Sequence, residues 1–328
     1  LTAPTPSAIL LSSHLRMLCV SQMPSSDMGH KHVFSDHLRE YTTPSDLAEA
    51  AELTTDSPDL LPLNDAIKQL KVPSETTQLR LFSYPSVSPI FWFCLIENKL
   101  ENPFVLLVRN PVPLFESATY EHALTLFLEQ VAKTLSESPA ITSIAERCLA
   151  HEFGRLLPSF LPSHSSISSK PYHLFHIKAE HLATLDELEI SLPYGYSFDE
   201  FTHESDAATV AETSEGTLSA QAVAKRLSSL PYTLIRGPTG AIVSHQLSSP
   251  AAGLTHLYTD TDHRRQGLGT SAELKLAQTC ARNGFVPFKA VCIYNTSVHR
   301  ASVESPFWTL LNRNGVPVDF YVEHFGQS

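Results

Sequence analysis

The sequence predicts an α/β chain of two folding units, and three observations carry the prediction. At 328 residues it is longer than most single compact domains. From Tyr172 onward, strand-period and helix-period segments follow one another in orderly succession. Between that region and a smaller group of elements lies Ser163 to Pro171 (SHSSISSKP), which has the composition of a linker.

Residues 1–60 are rich in Ser, Thr, Pro and Asp with little periodicity, as expected of a disordered or targeting segment. Within them, residues 1–26 hold no acidic side chain, one arginine (Arg16) and an apolar cluster from Ile9 to Val20. That composition weakly resembles a mitochondrial presequence, with the cytoplasm as the alternative location. The smaller α/β unit spans residues 61–162. It opens with a short helix at Leu63–Leu70 and a strand at Gln78–Tyr84. Ile90–Ile96 and Phe104–Arg109 are apolar runs around the polar turn Glu97–Pro103, hence a hairpin. Tyr120, Leu124, Phe127, Leu128, Val131 and Leu135 recur at helical spacing within 113–135, and a second helix is expected from Ile141 to about Leu157. No chemistry is recognisable in this unit.

The second unit, residues 172–328, reads as strand (Tyr172–Lys178), helix (His181–Leu192) and amphipathic helix (Leu218–Leu230). Tyr232–Ile235 and Ala241–Leu247 are strands around Gly237-Pro238-Thr239-Gly240, a tight hairpin turn. Leu254–Thr259 is the next strand. Leu268, Ala272, Leu276 and Cys280 then recur every four residues, and Asn283-Gly284 stops that helix. A strand over Val286–Tyr294, a helix capped by Asn295, and a last strand over Val318–Phe325 complete the unit.

Composition excludes several classes of function. The net charge of −11 opposes a nucleic-acid partner, since phosphate binding rests on Lys and Arg. No apolar run approaches the ~18 residues of a membrane span. The five cysteines form no CxxC pair, which fits small buried residues in a reducing compartment. None of the sixteen histidines sits in HExxH, and no metal is expected.

The chemistry concentrates in Asp262-His263-Arg264-Arg265-Gln266-Gly267-Leu268-Gly269-Thr270, between a strand and a well-formed helix. Glycines two apart let the backbone turn tightly and present successive N–H groups at a helix N-terminus, a natural pyrophosphate cradle. Arg264 and Arg265 add positive side chains. The segment is not a Walker loop, because no Gly-Lys-Ser/Thr follows, and it lacks the G-x-x-G spacing of a dinucleotide fingerprint. A bland reading, surface arginines over an ordinary glycine turn, stands beside the functional one.

This segment resembles motif A of the GNAT acyltransferase superfamily, Arg or Gln-x-x-Gly-x-Gly or Ala after the fourth strand. Arg264, Gly267 and Gly269 fill those places. Within the superfamily the C-terminal half looks most like the glycine N-acyltransferase family, from the Leu218 helix through Leu227-Ser228-Ser229-Leu230-Pro231 and the Gly237–Gly240 turn to Tyr294-Asn295. The N-terminal half matches only in size and layout. The resemblance implies a mixed, mostly antiparallel sheet flanked by helices, preceded by a smaller α/β domain. It implies acyl-CoA as co-substrate and the amine of glycine or another small amino acid as acceptor. Leu257, Tyr258 and Thr259 would bond the pantetheine arm, Arg264, Arg265, Gln266, Gly267, Leu268, Gly269 and Thr270 would hold the pyrophosphate, and Asn295 would lie close by.

The sequence departs from the family at the base. Counting back from Arg264 puts the family's strand glutamate at Gly253, and the helix position that often supplies a tyrosine acid falls near Val303. His256 and His245 are candidate substitutes, each with an ordinary strand histidine as alternative. Strand alternation turns His256 away from Gly253 unless a bulge intervenes. Two further functions share the fold: an acyl-CoA-binding protein with little or no catalysis, and acetylation of a protein or polyamine.

Overall fold

A computed structural model describes residues 37–70, 77–111, 116–214, 218–249 and 253–327. The presequence-like segment lies outside the described residues. The chain order begins β1 (Arg39–Tyr41), α1 (Pro44–Thr54), α2 (Leu61–Leu70), β2 (Thr77–Tyr84), β3 (Phe91–Asn98), β4 (Phe104–Arg109), α3 (Ser117–Ser136), β5 (Ala140–Glu146) and α4 (Arg147–Phe160). It continues with β6 (His164–Ile177), α5 (Ala179–Glu187), β7 (Ser197–Asp199), α6 (Glu204–Glu212), α7 (Ala220–Ser229), β8 (Tyr232–Arg236), β9 (Ile242–Ser249) and β10 (Gly253–Thr259). The last elements are α8 (Leu268–Arg282), β11 (Phe288–Cys292), α9 (Thr296–Glu304), β12 (Trp308–Leu310), β13 (Asn312–Arg313), β14 (Val316–Pro317) and β15 (Asp319–Gln327).

These elements form a repeat. The succession β1-α1-α2-β2-β3-β4-α3-β5-α4 recurs as β7-α6-α7-β8-β9-β10-α8-β11-α9. Sheet order repeats with it, and one continuous mixed sheet runs β1-β2-β3-β4-β5-β15-β6-β11-β10-β9-β8-β7. The two central strands are exchanged. β6 follows the last helix of the first half but pairs with β11 of the second; β15 follows the second half but pairs with β5 of the first.

Helices cover both faces of each half. In the first, α3 and α4 bury Phe127, Leu128 and Phe153 on one face. On the other, Leu63 and Ile67 of α2 share a core with Phe288 of β11 and Phe320 of β15, so this core belongs to both halves. In the second half, Leu276 and Ala277 of α8 pack beneath Leu254, while Val223 and Leu227 of α7 pack on Leu234 and Leu247.

Four expectations need correction. Residues 39–60 are ordered: Arg39–Tyr41 pairs with Leu81–Ser83, and a capping box between Thr43 and Asp46, with Pro44 in the first turn, starts α1. Ile141–Glu146 is a strand rather than the start of a helix, since β-branched Ile141, Thr142 and Ile144 suit the slot between β4 and β15. Ser163–Pro171 is no linker, because from His164 it is the outer part of β6, hydrogen-bonded to β15. The smaller N-terminal α/β domain, in which no relation to the second half was expected, repeats its element order and strand order.

Candidate functional site

The site forms where β10 and β11 part. β10 pairs with β9 at both ends, from Gly253↔Ser249 to Thr259↔Ser244, but meets β11 at one pair, Gly253↔Lys289. Beyond that pair the outer edge of β10 has no strand partner among the described residues, while β11 runs on with β6. A wedge-shaped gap therefore opens along Leu254–Thr259.

Gly253 is the apex of the wedge. Its φ is +60°, and a Cβ there would sit 2.3 Å from the Phe288 carbonyl oxygen and 2.9 Å from the Phe288 ring. No side chain fits, so a carboxylate cannot be carried at this position and a Gly253→Glu exchange cannot restore one. Across the sheet the apex is braced. Lys289 Nζ donates to Glu273 Oε1 at 2.6 Å and lies 4.4 Å from the Trp308 ring centroid, and Trp308 Nε1 donates to Glu273 Oε2 at 2.8 Å. Burial lowers the Lys289 pKa and Glu273 opposes that shift. The triad ties α8 to the far wall of the gap.

The predicted cradle stands at the mouth. Arg264 Nε donates to the Thr259 carbonyl at 2.9 Å, folding the loop over the end of β10. Arg265 has φ +61°, and Gly267 caps α8 in the left-handed region at φ +79°. Ser271 makes the first helical bond, back to the Gly267 carbonyl, which leaves the first-turn N–H groups of Leu268, Gly269 and Thr270 without intrahelical acceptors. Gly269 is where close approach matters: its Cβ would lie 3.4 Å from Thr259 Oγ1. At Gly267 a Cβ would meet nothing within 4 Å, so positive φ alone calls for glycine there. Leu268 is buried, whereas Arg264, Arg265, Gln266, Gly267 and Thr270 are exposed. His263 braces the loop from behind through Nδ1, 2.9 Å from Tyr196 Oη.

The wall on the α6–α7 side holds both candidate histidines. β10 bulges between Thr255 and Tyr258, and His256 sits in the bulge at φ +50°. Simple alternation therefore fails here, and His256 adds to the lowering of the His245 pKa. His245 is 2% exposed, stacks on Tyr258 at 5.6 Å, and its Nε2 lies 3.1 Å from Thr213 Oγ1. Burial, with His256 adding to it, pushes the His245 pKa down to about 4. His256 is pushed to about 4 as well, by burial and then by Arg226, with Glu101 opposing. Both imidazoles are neutral at physiological pH. Leu257 and Tyr258 line the same bulge, and Thr259 shares a 2.8 Å hydrogen bond with Ser244.

Asn295 caps α9 as expected, its Oδ1 accepting from Val298 N at 3.4 Å and Ser297 Oγ at 3.1 Å. Tyr294 and Val303 are exposed. Among the described residues Cys94, Cys148, Cys280 and Cys292 form no disulfide with one another; burial pushes Cys280 up to about 12 and Cys94 further. Among the described residues no helix is long and apolar enough to cross a membrane, and no cluster of His, Cys, Asp or Glu could hold a metal ion. Arg226, Glu101 and Thr213 escaped sequence reasoning, since nothing local sets an arginine on a helix or a glutamate in a distant turn apart from surface charge.

Among its described residues the first half shows no such gap. β4 and β5 pair in parallel from Phe104↔Thr142 to Leu107↔Ala145, and Arg109 Nη2 joins their ends to Glu146 Oε1 at 2.8 Å. Arg313 from the second half adds a bond to the same carboxylate oxygen at 2.8 Å. The connection after β4, residues 110–116, contains no glycine.

No family model matches the chain, and no curated protein does. Solved structures do match. A Drosophila protein superposes with a TM-score of 0.65 at 13% identity, covering 87% of this chain and 97% of its own. A tandem GNAT protein from the clavulanic acid biosynthesis pathway gives 0.50 at 15% identity, covering 89% and 98%. A GCN5-related N-acetyltransferase from Sphaerobacter thermophilus gives 0.50 at 12%, covering 88% and 95%. The likeness is one of fold: the chain is built as a GNAT fold over nearly its whole described length.

Proposed function

We propose that the protein is an acyl-CoA-dependent N-acyltransferase, with glycine or another small amino acid as acceptor. One observation carries this reading: a gap between β10 and β11 opens directly beneath a glycine-turn helix N-terminus. The pantetheine arm of an acyl-CoA would lie along the free edge of β10 at Leu257–Thr259. Its pyrophosphate would sit on the first-turn N–H groups of α8, with Arg264 and Arg265 supplying charge.

The reaction needs a neutral amine, which attacks the thioester carbonyl carbon. The C–N bond forms, the C–S bond breaks, and coenzyme A leaves as a thiol carrying the proton the amine gives up. A backbone N–H near Leu257 or Tyr258 would hold the oxyanion. His256 and His245 serve better as hydrogen-bond acceptors for the amine than as strong bases, since their pKa values lie near 4.

A second reading, acyl-CoA binding without turnover, is favoured by the blocked position at Gly253 and by a strand, Gly253–Thr259, that holds no carboxylate. The deciding experiment uses the purified full chain, a panel of acyl-CoAs and amines, and free-thiol release. Release that requires both substrates is expected. Tight coenzyme A binding with no release from any pair would leave the second reading.

A further inference from the structure

The α6–α7 wall carries a donor that acyl transfer does not require. Arg226, on α7, is close enough to His256 to depress its ionisation. Its Nε donates to Glu101 Oε1 at 2.8 Å and its Nη2 to Glu101 Oε2. Glu101 belongs to the β3–β4 turn of the first half, and neighbouring Leu100 packs into the α6–α7 core. The Arg226 side chain is only 12% exposed, yet Nη1 is buried without a hydrogen-bond partner. An unbonded buried donor on a charged group is costly, so a ligand oxygen that reaches it gains a full charge-assisted bond.

We propose that Arg226 is a specificity-determining residue of the acceptor site: its Nη1 binds a carboxylate on the amine being acylated, and Glu101 from the first half holds it in place. This rests on the N-acyltransfer reading. The wall is polarised to suit such an acceptor. Two neutral imidazoles accept N–H bonds but give an anion no charge, whereas a guanidinium supplies charge and donors and has no lone pair to accept an N–H bond. Arg226 next to His256 therefore sorts the two ends of an amino acid. Because Glu101 cancels much of the guanidinium's far field, the interaction is a short-range hydrogen bond rather than long-range steering. Its signature is discrimination between an acid and its amide, with little dependence on salt.

The test compares glycine with glycinamide as acceptors for acetyl-CoA and for a longer acyl-CoA, using the full chain. The wild type should favour glycine in kcat/KM, even though glycinamide is the less protonated amine near neutral pH. Arg226→Met should cut the glycine-to-glycinamide ratio by roughly ten- to a hundredfold, the range of one charge-assisted hydrogen bond. Arg226→Met also strands the Glu101 carboxylate, so the pair Glu101→Gln with Arg226→Met, checked for an unchanged thermal midpoint, guards against misfolding. Equal use of the two acceptors by the wild type, or a ratio that Arg226→Met leaves alone, would overturn the proposal.

Calorimetry keeps the proposal testable where no thiol is released. N-acetylglycine should bind the coenzyme A-loaded protein more tightly than N-acetylglycinamide, and lose that advantage in Arg226→Met. That result without turnover would support the anchor and overturn the acyltransfer reading; equal binding of the two would overturn the anchor.

Discussion

At the scale of single residues, glycines and buried titrating groups set the behaviour of the site. Gly267 is held by φ and Gly269 by space, so the two should fail differently. Gly267→Ala should cost about 1 kcal/mol of stability through left-handed strain and weaken coenzyme A binding only moderately. Gly269→Val presses on Thr259 and should displace the loop itself. Arg264→Ala should weaken coenzyme A binding at least about tenfold, the value of one charge-assisted bond; an unchanged affinity by titration calorimetry would refute the cradle. The pH predictions run in opposite directions. His245 falls from 6.5 to about 4 on folding, so its contribution is complete above pH 6.5 and is lost as pH drops toward 4, where the unfolded chain takes up the proton first. His245→Gln should therefore flatten the acid limb of urea midpoints measured between pH 7 and 4. Asp65, on α2 and buried, rises from 3.8 to about 8, so the stability it contributes below pH 3.8 is lost as pH climbs to 8. Asp65→Asn should gain on the wild type toward pH 8 and lose that gain toward pH 4. Catalysis should show no histidine inflection between pH 5.5 and 8 and should rise toward the pKa of the amine. A step near pH 6.5 that disappears in His256→Ala would show that the imidazole regains its ordinary basicity in the complex.

At the scale of elements, the comparison of the two halves predicts stoichiometry. β10 and β11 part after Gly253, whereas β4 and β5 are zipped and closed by Arg109 and Glu146. Calorimetry should thus count one coenzyme A per chain, and Arg264→Ala should weaken that single site; two equivalent sites would contradict the closed first half. This asymmetry also separates what the sequence revealed from what it concealed. α8 and its loop were legible because a four-residue apolar repeat, a glycine turn and an Asn-Gly stop all lie within one short segment. The capping box at Thr43–Asp46 was equally local and marked α1, but the Ser, Thr and Asp around it resembled a disordered tail. The outer part of β6 could not be recognised, because its Ser-rich residues are largely solvated and their strand identity comes from β15, some 150 positions away. The bulge at His256 left no local signal either. It arises because two residues of β10 oppose Gln246 of β9, a matter of register that alternation cannot supply.

At the scale of the whole molecule, the exchange of β6 and β15 makes the halves interdependent. β15 bonds to β5 over Phe320–Gly326 and to β6 over Asp319–Gln327, so it is an interior strand for both. The core beneath α1 and α2 likewise draws Leu63 and Ile67 from one half and Phe288 and Phe320 from the other. Shortening the chain by its first 60 residues would therefore strip β1 and α1 from an ordered sheet and lower the thermal midpoint, contrary to what the composition of that segment suggests. Removing residues 319–328 should be worse, since it leaves two interior strands with bare edges. The chain should unfold in one cooperative transition, and its two tryptophans allow this to be tested half by half. Trp92 is buried in β3 of the first half, and Trp308, in β12, packs in the second. In Trp308→Phe, fluorescence reports the first half; in Trp92→Phe, it reports the second. Each variant is destabilised, by about 1 kcal/mol or more where the Trp308–Glu273 bond is lost, so midpoints should be compared with circular dichroism within the same variant. Coincident fluorescence and dichroism curves in both variants are expected. A fluorescence midpoint displaced from the dichroism midpoint of the same variant would show that each half keeps a core of its own and that the exchanged strands join two independent domains.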